Sequence, residues 1–153
     1  MTENAGEKLT AFEQGLSALK DATVQVTDND AYETGASVIL GFSGGARLRA
    51  DYWRLLRNGL AVLSCFDHEQ KYGLPEPINA RGDLRRVLDG QQVVEARLDR
   101  QTGDLLFAFS GRAHFQVFNL TGYEIWETTL ADGTSDYSNT IMASLYEAAP
   151  RQN

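Results

Sequence analysis

The chain has 153 residues, a hydrophobic share of 42%, a charged share of 23% and a formal net charge of −7 at pH 7. This composition is typical of one globular domain and excludes an intrinsically disordered chain. The acidic balance opposes phosphate binding, and no run reaches the roughly 18 apolar residues that span a bilayer, so we expect neither nucleic acid nor a membrane as a partner.

The first 22 residues are predicted to form a leader and an amphipathic helix. Residues 1–8 have neither a basic start nor an apolar stretch, so we expect no secretory signal there. Gly15 weakens an isolated helix by about 1 kcal/mol relative to Ala, so the helix needs a sheet or a partner to cover its apolar side. That side is a stripe of four residues spaced by three and four: Leu9, Phe12, Leu16 and Leu19.

After the helix, the hydrophobic pattern changes to the alternation that is typical of β-strands. Residues 36–42 and 46–55 are predicted to form two strands joined by Ser43-Gly44-Gly45, where glycine supplies the positive φ of a tight hairpin. Asn58-Gly59 predicts a further hairpin turn. The nearly continuous apolar run that follows, residues 60–66, predicts a buried strand.

The second half of the chain continues with strands. Residues 93–100 alternate as a half-buried strand does, and residues 105–109 and 113–118 predict a pair of strands joined by a tight turn. Residues 123–130 predict one more strand. Residues 139–153 are predicted to form either a C-terminal helix or a tail.

Two segments of the chain resemble each other. Residues 34–44 parallel residues 102–111, and both reach a Phe-Ser-Gly sequence. Each segment is followed by strand alternation in the same phase, by an aromatic pair and by an Asx-Gly turn. Two short β-units could converge on this pattern by chance, but the agreement of turn, phase and aromatics favours an internal duplication with copies at about 24–66 and 91–138.

A single hairpin unit is marginal in water and leaves its apolar face exposed, so two copies are expected to close on each other. We therefore predict an α+β fold that is mainly antiparallel β. Two repeated hairpin units form a sandwich or an open barrel, with the N-terminal helix on one side. The β-rich domain is expected to span residues 23–138.

The order of elements and the run Gly122-Tyr-Glu-Ile-Trp-Glu127 resemble a family of small uncharacterised bacterial proteins, a domain of unknown function. In that family a strand–turn–strand unit occurs twice, and the second copy ends in a Tyr-Glu-x-Trp-Glu element. The resemblance covers about residues 35–138. It implies the duplicated β fold and no catalytic residues. Some members of such groups look similar to immunity or accessory proteins of contact-dependent toxin systems, which implies an immunity-type role.

Cys65-Phe-Asp67-His68 is the one cluster that mixes a thiol, a carboxylate and an imidazole. On a strand, Cys65 and Asp67 share a face from which His68 turns away, so local spacing does not pair a nucleophile with a base. A cysteine in an apolar run is typical of a core residue. As the chain has no second cysteine, a disulfide framework is excluded and a reducing, cytoplasmic location is expected.

Other common chemistries lack their sequence patterns. His68 and His114 lie far apart in the sequence, without the spacing of a metal site, so we expect no metal. Alternation puts Glu124 and Glu127 on opposite faces, which is wrong for a general acid and base that share a substrate. The glycines form no phosphate-binding motif, so no cofactor is expected. An enzyme with an unrecognised site remains one alternative.

The aromatic pairs of the two copies are the remaining candidates, because large amphipathic rings dominate both cores and interfaces. They belong either to the core or to a binding site where the copies meet. The leading hypothesis is a non-enzymatic protein-interaction module, immunity-like against a basic partner, with a homodimer as a further option. The alternative is a small-molecule binder with a cavity between the copies. The candidate binding residues are Tyr52, Trp53, Tyr123 and Trp126.

Overall fold

The computed structural model describes residues 4–28, 35–121 and 124–148. Ten strands in the described residues form two antiparallel five-stranded sheets, and neither sheet closes into a barrel. The predicted α+β fold, mainly antiparallel β, is confirmed, and of the two predicted arrangements the sheets are consistent with the sandwich. The elements are α1 (Ala5–Ser17), β1 (Val24–Asp28), β2 (Val38–Phe42), β3 (Arg47–Ala50), β4 (Trp53–Arg57), β5 (Leu60–Ser64), a 3-10 turn (Cys65–Asp67), α2 (Ala80–Leu88), β6 (Val93–Leu98), β7 (Leu105–Phe109), β8 (Ala113–Val117), β9 (Trp126–Thr129), β10 (Ser135–Tyr137) and α3 (Ser138–Ala148).

Each sheet is built from both halves of the chain. The first sheet has the order β1-β2-β3-β9-β10, and the second has the order β5-β4-β8-β7-β6. The first sheet therefore has three strands from the first half of the chain and two from the second half. The second sheet has two strands from the first half and three from the second half. The exchange makes a shared core that neither half can form alone.

The single strand predicted for residues 46–55 is wrong, because the chain changes sheet in the middle of it. Leu48 and Ala50 point into the core from β3, and Trp53 and Leu55 do so from β4. The inward positions change from even to odd numbers across the two residues that connect the strands. This loss of phase marks the point where the chain crosses from the first sheet to the second.

The Phe-Ser-Gly sequence has the same structural role in both halves. Ser43 donates its backbone N–H to Thr23 O at 2.9 Å, and its Oγ accepts from the Thr23 N–H at 2.9 Å. Ser110 makes the same two bonds with Gln92, at 2.9 and 3.1 Å. Thr23 and Gln92 themselves form an antiparallel bridge between the sheets. This repeated arrangement supports the duplication, whose limits at 24–66 and 91–138 stay a prediction.

The helix α1 begins with a capping box, in which Asn4 accepts from the Glu7 N–H at 2.8 Å. It ends at Ser17, earlier than the predicted residue 22, and its predicted stripe is buried as expected. A Cβ at Gly15 would overlap Leu130 Cδ1. The glycine therefore lets α1 approach the Leu130 side chain closely, which outweighs its poor helix propensity.

Helices contact all four sheet edges, and α2 contacts both β1 and β5. α1 packs against β6, α2 packs against β1, and α3 follows β10 directly and contacts it. At β1, Val26 donates its N–H to Asp89 Oδ1 at 2.7 Å and accepts from Arg85 Nε at 3.0 Å. Side chains of α2 and its cap thus occupy backbone groups that would otherwise be free at this edge. The fourth edge, β5, is treated differently.

Candidate binding surface

Two of the four predicted binding residues, Trp53 and Trp126, lie fully inside the core. Each indole N–H donates to a backbone carbonyl, from Trp53 to Ala36 O at 2.7 Å and from Trp126 to Gly103 O at 3.0 Å. The ring of Trp53 lies 5.6 Å from that of Phe115. These contacts give both residues a structural role in matching positions of the two halves, and their part in binding stays a prediction.

The other two predicted residues have different outcomes. Tyr123 lies outside the described residues. Tyr52 is half-buried, and it borders an open pocket of about 330 Å³. Sequence reasoning named Tyr52 but missed the rest of the pocket, since it joins the segment before β2 to the turn after β5. The lining residues are Gly35, Ala36, Ser37, Asp51, Tyr52, Cys65 and Phe66.

The carboxylate of Asp51 is held in place at the wall of this pocket. Oδ1 accepts from Ser37 Oγ at 2.7 Å, and Oδ2 accepts from Arg49 Nη1 at 2.7 Å. Arg49 also lies 3.8 Å from a carboxylate oxygen of Glu127. One guanidinium is thus shared by two carboxylates, so this cluster keeps a net negative charge beside the pocket.

The apolar run after Asn58-Gly59 forms the edge strand β5, and the prediction of a buried strand is wrong. Leu60 is 70% exposed and Val62 is 52% exposed, while Leu63 packs against the core. The helix α2 also contacts β5 but leaves Leu60 and Val62 uncovered. β5 contains no charged residue and no proline, two of the devices that protect an exposed edge from pairing. It does contain a β-bulge at Val62, because Leu63 pairs with Leu55 and Ala61 pairs with Leu56.

A structured loop continues the exposed apolar surface beyond β5. Asp67 organises its start, because its carboxylate accepts from the Ser64 N–H at 2.8 Å and from the Tyr72 hydroxyl at 3.2 Å. His68 Nδ1 accepts from the N–H of Ala80 at the start of α2, at 3.1 Å. We call the exposed apolar residues of this edge and loop the β5 surface: Leu60, Val62, Phe66, Tyr72 and Leu74.

The arrangement around Cys65 does not activate the thiol as a nucleophile. Cys65 lies in a 3-10 turn and not on a strand, which corrects the geometry assumed from the sequence. Burial raises the pKa of the Cys65 thiol, and the nearby Asp67 carboxylate adds to this effect. A raised pKa lowers the thiolate fraction at neutral pH, the opposite of what nucleophilic catalysis requires.

The histidines take separate roles. His114 lies on the exposed outer side of β8, as predicted, whereas His68 is turned toward α2. Within residues 4–28, 35–121 and 124–148, no group of three or more His, Cys, Asp or Glu side chains could hold a metal ion. The described part of the chain also has no helix that is long and apolar enough to cross a membrane.

A second cavity, of about 480 Å³, lies between α1, α3 and the turn after β6. Its base is formed by the buried residues Leu9 and Leu145, and Tyr146 stands exposed at its rim. Arg100 borders the cavity and binds the Glu13 carboxylate through Nε at 3.1 Å. α1 comes from the first half of the chain and Arg100 from the second, so this cavity joins the two halves.

Comparisons of the chain with protein families, with curated proteins and with solved structures found no match. The resemblance carried by residues 122–127 therefore stays a prediction. The β5 surface and the Tyr52 pocket are the features from which a function can be argued, since Phe66 belongs to both.

Proposed function

We propose that the protein is a non-enzymatic interaction module that binds another polypeptide as an added strand along β5. The observation that carries this proposal is the contrast between β5, where Leu60 and Val62 stay exposed beside α2, and β1, where side chains of α2 and its cap bind the backbone of Val26. An exposed apolar edge offers unpaired backbone groups for affinity and side chains on alternate sides for specificity. Such an edge promotes aggregation unless a partner covers it.

The apolar side chains of the β5 surface supply the energy for this binding. Burial of a fully exposed aliphatic side chain contributes about 1.5–3 kcal/mol, and aromatic residues such as Phe66 contribute on a similar scale. Several such residues can outweigh the loss of translational and rotational freedom on association. The backbone hydrogen bonds of an added strand then fix its register.

The charge of the chain favours a basic partner. The whole chain carries −7, and the loop that follows β5 adds Asp67, Glu69 and Glu76 against Lys71. Complementary charge speeds encounter and raises the salt dependence of binding. A basic toxin held by an acidic immunity-type protein is one partner of this chemistry, in line with the family resemblance.

Val62→Lys tests this proposal, and Val94→Lys is its matched control. The two valines are 52% and 51% exposed, but Val94 lies on β6, beside which α1 packs. A lysine at position 62 charges the free edge, so a partner captured by the wild-type chain from its native host should be lost. The Val94→Lys chain should retain it.

The captured protein must then bind the purified chain directly, and its binding should slow amide hydrogen exchange in residues 60–64. Equal capture by the wild-type and Val62→Lys chains, with no added protection in β5, contradicts the proposal. Both substitutions are on the surface, so unchanged unfolding transitions should show that neither variant loses partner binding through misfolding.

A small-molecule binder is the second candidate, because the cavity between α1 and α3 joins the two halves and its volume falls in the range of ligand sites. Its apolar base and the guanidinium of Arg100 suit an amphipathic molecule with one acceptor group. A ligand screen by thermal unfolding tests this function. The expected hit raises the midpoint for the wild-type chain and loses its effect in Tyr146→Ala; a screen without such a hit counts against it.

A further inference from the structure

We infer that the pocket beside Tyr52 receives a cationic side chain, Lys or Arg, from the polypeptide that binds β5. This inference rests on the proposed function and names the chemistry of the partner's anchoring residue. It is carried by the shape of the pocket, its two aromatic rings and the carboxylates around it.

The position of the pocket makes it accessible to a strand on β5. Phe66 lies in the 3-10 turn that directly follows β5, and it belongs both to the β5 surface and to the pocket. A peptide that extends along β5 therefore reaches the pocket within a few residues of its last pairing position. At about 330 Å³ the pocket lies at the low end of the volumes of ligand sites, and one long side chain fits into it.

Two aromatic rings border the pocket at an angle. The centroids of Tyr52 and Phe66 are 6.0 Å apart, and their planes are inclined by 53°. A guanidinium or ammonium group within about 6 Å of a ring centroid is attracted by the ring quadrupole, and aromatic cages use this to bind cations. The protein already contains such a contact, since Arg54 Cζ lies 5.2 Å from the ring centroid of Phe118.

The charged groups around the pocket carry a net negative charge that one further cation would neutralise. The carboxylates are those of Asp51, of Glu127 behind Arg49, and of Asp67 beside Phe66. The positive groups near the pocket are the guanidinium groups of Arg49 and Arg81. Arg81 donates to Gly35 O at 2.6 Å. Among the described residues, these three negative and two positive charges give a net charge of −1, which complements a single cation.

The remaining lining suits the aliphatic part of such a side chain. Ala36 and Cys65 are small and apolar, and burial raises the pKa of the Cys65 thiol, which favours its neutral form further. Lys and Arg place their methylene groups along apolar surface while their charged ends reach polar groups. The Asp51 oxygens each accept one hydrogen bond and can accept another from a cation at the pocket wall.

The test is an NMR titration of the full chain with N-acetyl-arginine amide and with its neutral urea analogue, N-acetyl-citrulline amide, at constant ionic strength. We expect the arginine compound to shift the backbone signals of Tyr52 and Phe66 saturably. The citrulline compound should bind about fivefold or more weakly, because it lacks the cation. Phe66→Leu should weaken arginine binding by a similar factor, and Tyr146→Leu, which removes an exposed ring on α3, should not.

Equal shifts with arginine and citrulline compounds overturn the inference, because the pocket would then select shape and not charge. The absence of saturable shifts at Tyr52 and Phe66 overturns it as well. Phe66 is 71% exposed, so Phe66→Leu should fold normally, which its spectrum checks directly. These outcomes leave the proposed function to its own test, because Val62→Lys blocks strand addition without touching the pocket lining.

Discussion

The strands β1 and β5 lie at edges of different sheets, and the protein treats the two edges in opposite ways. At β1, the N–H and the carbonyl of Val26 are bound by Asp89 and Arg85, and α2 packs against the strand. At β5, Leu60 and Val62 face solvent on a strand without charge. The protein thus has the means to close an edge, and uses them at β1 but not at β5. This difference points to β5 as the surface left for a partner.

The largest expected difference between the two edges comes from truncating one leucine at each. Leu84 is fully buried where α2 covers β1, so Leu84→Ala should lower the free energy of unfolding by about 2–5 kcal/mol. Leu60→Ala removes the same atoms from an exposed side chain and should change stability by less than about 0.5 kcal/mol. Urea unfolding of both variants measures this contrast. Equal losses would mean that β5 is as well covered as β1.

Much of this architecture could be predicted because its signals are local. The hairpins β2–β3 and β7–β8 follow from alternating apolar residues around a turn with glycine, and both Phe-Ser-Gly sequences mark their ends. The stripe on α1 follows from helical spacing. These patterns need only neighbouring residues, so a single sequence carries them.

The proposed binding surface could not be predicted in the same way. An apolar run such as residues 60–64 has the same composition whether its own protein or a partner covers it. At residues 51–52, where the chain changes sheet, the sequence shows only a shift in the alternation of apolar and polar residues. This shift is easily missed when residues 46–55 are read as one continuous strand. The Tyr52 pocket depends on tertiary contacts, because Ala36 and Phe66 meet there from different elements.

The packing of α1 against the turn between β9 and β10 can be tested through Gly15. Helix propensity alone predicts that Gly15→Ala stabilises the protein by up to about 1 kcal/mol. The structure predicts the opposite sign, since the new methyl group would overlap Cδ1 of the buried Leu130 side chain, and overpacking of this kind costs about 1–3 kcal/mol. Thermal unfolding of Gly15→Ala separates the two expectations. The double variant with Leu130→Ala should recover part of the loss.

A smaller loss of stability is expected when the hydrogen bond between Asp89 and the backbone of β1 is removed. Asp89→Ala leaves the Val26 N–H without its acceptor, which should cost about 1 kcal/mol at this partly exposed site. Asp89→Asn keeps an acceptor oxygen and should retain most of the stability. Hydrogen exchange at Val26 reports the same bond directly and should be faster in Asp89→Ala. Unchanged exchange there would show that α2 closes the edge by packing alone.

The smallest expected effect concerns Cys65, which lies directly after β5 and reports on its environment. Burial raises the pKa of this thiol, so at pH 8 it should react with iodoacetamide more slowly than it does in the unfolded chain. Because the folded-state pKa lies above the ordinary value of 9.0, the neutral thiol stabilises the fold below that pH. This contribution is lost as the pH rises through the raised pKa.

Cys65→Ser should remove that part of the decline in stability at alkaline pH. A partner on β5 should slow the alkylation further, whereas it should leave the alkylation rate of a control cysteine introduced at Val94 on β6 unchanged.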